Sequence, residues 1–148
     1  IAGGAYCLAN VISRQDDGDL IKAEGLAREA IRIIDKLHGA HDIKVSRNYL
    51  LLARILQLQG KLGDETKELM ERSLPISVKN EGPDGGNTAA VNVETGQFYY
   101  QIAMTLSKGH TKRAQLLIAK SYSDEGIRIE TKIHNPTHPN SLSAASLL

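Results

Sequence analysis

The chain is poor in the residues that hold many small folds together. It has one cysteine, Cys7, so an internal disulfide framework is excluded and Cys7 reads as a small apolar packing residue. It has no Trp and one Phe, and aromatics make up only 4% of its 148 residues. That argues against a β-sandwich, whose strands favour aromatic and β-branched residues. Only four Pro residues occur, so helices are seldom interrupted. No apolar run approaches the ~20 residues needed to span a bilayer, so no membrane insertion is expected. No charged segment precedes an apolar stretch at the start, as it does in a secretory leader. The formal net charge is +1, which gives no global reason to expect nucleic acid as a partner.

Chemistry-bearing motifs are equally scarce. There is no Gly-x-Ser-x-Gly elbow, no His-Glu-x-x-His and no paired Cys and His, so the chain is not read as an enzyme and no catalytic residue is assigned. The glycine-rich turn around Gly82, Gly85 and Gly86 lacks a Gly-Lys-Ser/Thr ending and so is not a phosphate cradle. The acids Asp16, Asp17 and Asp19 lack the closing Glu of a calcium loop. His38 and His41, like His134 and His138, are close in sequence, but no Cys cluster completes a zinc set. Neither a metal nor any other cofactor is expected.

What the chain does have is apolar content of 41%, supplied mainly by Leu, Ile and Ala at helical spacing. From Lys22 to Gly63 the pattern is a helix, a short loop and a second helix. Ala23, Ala27, Ala30 and Ile34 fall on one stripe of the first, with Leu26, Ile33 and Leu37 beside it. Small residues there let a neighbouring helix approach closely. Tyr49, Leu52, Ala53 and Leu56 form the matching face of the second. Gly39 stands where a helix C-cap is wanted and Asp42 where an N-cap is wanted.

This junction recurs. Ser73 stands at the place of Ala30, and Gly82 at the place of Gly39. A third copy puts Asn135 at the place of Gly39. Leu8-Ala9, Leu52-Ala53 and Ile102-Ala103 each put a small residue behind a branched one. Helical hairpins recurring at such intervals predict an all-α fold, an α-solenoid superhelix of antiparallel hairpins. The expected hairpins cover about residues 3–38, 42–79 and 88–133, with the start of another at 138–148. Pro75 is expected to kink the helix that contains it. The start at Ile1 and the apolar stretch Ser141–Leu148 read as those of a piece of a longer chain.

At the Leu-Ala pairs, at Gly60, at Ser73-Leu74 and at the three turns, the chain resembles the long-repeat tetratricopeptide (TPR) class found in kinesin light chains. The resemblance implies a binding module whose first helices line a concave groove. Tyr6, Asn10 and Arg14 are the candidate partner-binding residues of the first hairpin, with Ser13 on the same face. Arg47, Leu50, Arg54 and Gln57 are those of the second, and Gln97, Tyr100, Met104 and Lys108 those of the third. Where that class places Asn ahead of its Leu-Ala pair, this chain has Tyr6-Cys7, Leu50-Leu51 and Tyr100-Gln101. The implied partner is therefore another protein, a peptide or helix with apolar character, and Arg47 and Arg54 favour an acidic one. Lys108, Lys112 and Arg113 make either a local basic patch or a solvated loop. Two other readings stay open: a spacer or subunit in a large assembly, and the regulatory helical region of an enzyme.

Overall fold

In the computed structural model residues 2–15, 18–39 and 41–134 are described. They are all-helical, with no strand among them. The helices are α1 (Ala2–Ser13), α2 (Leu20–His38), α3 (Ile43–Leu58), α4 (Asp64–Glu81), α5 (Gly86–Thr105) and α6 (His110–His134). The start of another hairpin expected at 138–148, and the turn residue Asn135, lie outside the described residues. The chain divides into two compact units, Ile1–Ile76 and Ser77–Leu148. The division falls inside α4, between Ile76 and Ser77, and α4 continues through Pro75 as one helix.

In the first unit the helix ends follow local chemistry. Asp19 caps α2 by accepting from the Lys22 N–H at 3.0 Å, and Asp42 caps α3 by accepting from the Lys44 N–H at 2.8 Å. Gly39 ends α2 with φ 75°, and Gly82, at the matching place in the sequence pattern, follows α4 with φ 84°. A side chain at either place would strain the backbone, which is why both turns carry glycine.

The stripe read in α2 is the one it buries: Ala23, Ala27 and Ala30 are fully covered and Ile34 nearly so. The equivalent positions of α4 are Thr66, Met70, Ser73 and Ser77, and all four are buried. One core cluster gathers Ala9, Ala23, Ala27, Leu51, Leu52, Ile55 and Leu56. A second joins Ile34, Val45 and Ile76. Where α3 meets α4 the contact also includes a polar pair. The Ser46 hydroxyl lies 2.7 Å from that of Ser73 and 2.9 Å from the Ser73 carbonyl, and the Ser73 hydroxyl donates to the Ser46 carbonyl at 3.0 Å. Both residues are fully buried, and the reciprocal bonds leave neither hydroxyl unsatisfied.

Three expectations about packing are corrected. Cys7 is exposed instead of packed, and Leu8 is 46% exposed although it was expected to face a partner helix. Ser13, expected on the open face, is buried and donates to the Asn10 carbonyl. The reason is that α1 is apolar nearly all round, so its pattern does not define its phase.

The second unit is built on α5 and α6. Glu81 caps the start of α5, accepting from the Asn87 N–H at 2.8 Å, and the Thr88 hydroxyl donates to the Gly82 carbonyl at 2.9 Å. The two helices approach through glycines on each side. A Cβ on Gly96 would lie 2.4 Å from Ser123 Oγ and 3.0 Å from the Ala119 carbonyl oxygen. A Cβ on Gly126 would lie 2.6 Å from Val93 Cγ2 and 3.2 Å from the Ala89 carbonyl oxygen. Gly126 occupies in α6 the place that Ser73 occupies in α4 and Ala30 in α2. Tyr99 and Tyr122 stack across the hairpin at 5.8 Å, with buried Phe98 edge-on to Tyr99. This hairpin is also longer: α5 has 20 residues against 16 in α3, and α6 has 25 against 18 in α4.

Gly96→Val is therefore expected to destabilise the protein by about 1–3 kcal/mol, because the contact it meets includes backbone that cannot step aside. Urea unfolding checks this. Met104→Ala, at an exposed position of the same helix, should stay within about 0.5 kcal/mol of wild type.

Candidate functional site: a groove along the α5–α6 hairpin

The close approach at Gly96 leaves the larger side chains on either side of it standing as walls. Between them lies an open groove of about 380 Å³. From α5 it receives Val93, Gln97 and Tyr100 around Gly96. Successive turns of α6 supply the other wall through Leu116, Ala119, Ser123 and Ile127, with Lys120 at the edge. The surface is mostly apolar, and the polar groups it offers are the Gln97 amide, the Ser123 hydroxyl and the Lys120 ammonium. Tyr100 is 51% exposed and Ile127 57%, so both present apolar area to solvent.

Two of the residues expected to bind a partner, Gln97 and Tyr100, line this groove together. Met104 continues their stripe one turn further along α5 and is 54% exposed, and Lys108 follows in the loop between the helices. The remaining candidates belong to the first unit and are placed differently. Tyr6 is half-buried and packs against the α1–α3 core cluster. Asn10 is half-buried and accepts from the Arg14 side chain at 3.1 Å, with Arg14 itself exposed. Arg47 is exposed and Arg54 half-buried. Leu50 and Gln57 are 5% and 6% exposed, which corrects their assignment to an open face. Most of α3 is covered, and Gln57 reaches the Met70 sulfur of α4 inside the unit.

The α6 wall was not anticipated. Its signal lies in the spacing of Leu116, Lys120, Ser123 and Ile127 along one helical face. A second signal is the absence of any Asp or Glu between Glu94 and Asp124, an interval that holds Lys108, Lys112, Arg113 and Lys120. The basic end of the hairpin is thus not neutralised within its own sequence. Of these, Lys120 pairs with a carboxylate of α6, that of Asp124.

Several carboxylates elsewhere are held in structural pairs. Glu24 accepts from Lys61 at 2.8 Å and from the Gln59 amide at 3.0 Å, and Arg28 forks onto Glu65 at 2.6 and 3.1 Å. The Lys61 hydrogen bond is the main cause that holds the Glu24 carboxyl below its ordinary value, and Arg28 does the same for Glu65. In the second unit Asp84 takes both Lys132 and Arg128, and Arg128 also binds Glu125 at 2.7 Å. Lys132 first and Arg128 second depress the Asp84 carboxyl. These ties staple the α3–α4 and α4–α5 loops onto neighbouring helices.

Among the described residues no three His, Cys, Asp or Glu side chains gather to hold a metal ion, and no helix is long and apolar enough to cross a membrane. His38 faces Asp42, the N-cap of α3, at 3.7 Å. Compared with family models, with curated proteins and with solved structures, the chain matches none.

The Glu24 pairing has a pH signature. Its folded-state value lies below the ordinary 4.5, so its contribution is fully present above pH 4.5 and is lost as the pH falls through the folded value. Glu24→Gln should lower the urea midpoint at neutral pH by the equivalent of about 1 kcal/mol or less, the range for surface pairs. The gap to wild type should close in acid.

Proposed function

We propose that the chain is a protein–protein interaction module, a scaffold or adaptor built from TPR-like hairpins that stack as an α-solenoid. The observation that carries this reading is the α5–α6 groove. It joins exposed aromatic and aliphatic area to a few polar groups, the composition of a surface that receives a side-chain-rich segment. The repeat reading draws support from the one-for-one match of Ala23, Ala27, Ala30 and Ile34 with buried Thr66, Met70, Ser73 and Ser77. It draws further support from the full burial of Ala9, Ala53 and Ala103, the three small residues behind branched ones. The mechanism is binding alone: a preformed groove receives a peptide or helix, and Tyr100 supplies contact area at low entropic cost.

A second reading, subunit or spacer of a larger assembly, is favoured by one observation. Leu117 is 62% and Ile118 37% exposed, beside the groove residue Leu116. Such a run on one helix suits contact with a further copy or another subunit.

Co-purification from native extract with wild type and Tyr100→Glu discriminates the two. The adaptor reading expects the variant to melt like wild type and to lose a partner about tenfold or more, as for a central aromatic anchor. An unchanged partner set, with sedimentation showing self-association, would move the function to the assembly surface.

A further inference from the structure

The groove is electrically lopsided along its length. Its base end lies near Asp124, Glu125 and Glu130 of α6, and Asp124 holds Lys120. Its tip end carries Lys108 in the loop, then Lys112 and Arg113 in the first turn of α6, and no Asp or Glu occurs in the sequence between Glu94 and Asp124. That turn contains no acidic residue. Cations at the start of a helix meet the positive end of its dipole, so this arrangement costs local stability where acids would contribute it. Lys112 lies one turn before Leu116 on the same face, which places an ammonium at the mouth of the apolar wall. On the opposite helix Met104 lies one turn beyond Tyr100, so apolar area continues up to the charged end.

Resting on the adaptor reading above, we propose that the tip half of the α5–α6 groove binds an acidic amphipathic segment of another protein. Its apolar side chains seat against Tyr100, Met104 and Leu116, and its carboxylates meet Lys108, Lys112 and Arg113. Charge complementarity selects this partner: a basic or neutral segment would leave three cations beside a desolvated surface without compensation. An anionic lipid surface offers the same charge but is the poorer fit. The Gln97 amide and the Ser123 hydroxyl lie in a concave space between two helices, where a peptide backbone can reach them and acyl chains cannot satisfy them.

The test uses a phage-displayed library of random peptides selected on the immobilised whole chain. Enriched peptides should carry Asp or Glu beside apolar residues at helical spacing. Their affinity should fall about tenfold or more between about 50 mM and about 0.5 M salt. It should fall by a similar factor in the folded Lys108→Glu/Lys112→Glu/Arg113→Glu variant. Neutral or basic winners, no enrichment, or peptides bound equally by the variant overturn the proposal. So does tight binding of phosphatidylserine vesicles that the same variant loses without any acidic peptide being selected. If Tyr100→Glu loses the native partner while the triple variant keeps it, the groove reading stands and its acidic specificity falls. If neither variant loses it, both fall.

Discussion

Two helices can pack only as closely as the side chains between them allow, and in each hairpin that distance is governed by a few small residues. In the first unit Ser46 and Ser73 meet through their hydroxyls and carbonyls. In the second, Gly96 and Gly126 bring backbone against Ser123, Ala119, Val93 and Ala89. Larger residues on either side of such a contact cannot enter the seam, so they pack around it or stand outside it. Tyr100 on α5, and Leu116 and Ile127 on α6, stand in this way and form the groove with Val93 of the seam. The groove is thus a by-product of how the hairpin closes. Dispersion and apolar burial at the seam fix it without any dedicated loop.

Legibility from sequence depended on how one-sided each helix is. In α2 the charged residues Arg28, Glu29, Arg32 and Lys36 occupy one side, so the opposite stripe of Ala23, Ala27, Ala30 and Ile34 was plain and is buried as read. The turn glycines Gly39 and Gly82 were equally readable, because their positive φ leaves little alternative. α1 and α3 gave no such contrast. In α3 buried residues occur on nearly every side, and Leu50 and Gln57 look identical in pattern to groove residues while lying inside the unit. On α5 the same reasoning placed Gln97 and Tyr100 correctly in an accessible stripe. The facing wall on α6 depended on a pairing of two helices that periodicity within one helix does not encode.

The ion pairs play a different part from the seams. Glu24 with Lys61, Arg28 with Glu65, and Asp84 with Arg128 and Lys132 each tie a loop or a helix start to a helix distant in sequence. Individually such exposed pairs contribute little. Their common effect is to engage carboxylates around the α3–α4 and α4–α5 loops, while the α5–α6 loop has basic residues and no acid in its sequence.

The greater length of α5 and α6 has a consequence for how such a chain can vary. A helical hairpin grows at its free end by adding residues to both helices around the connecting loop, and contacts nearer the base keep their partners. Residues inserted there demand no repacking of the seam at Gly126 and Ala89, so they are neutral to the fold provided each added turn on one helix is matched on the other. The tip is therefore the part of the hairpin most open to insertion and deletion. Selection can lengthen or recharge it almost independently of stability, whereas a change of one methyl group at the seam is felt throughout the unit.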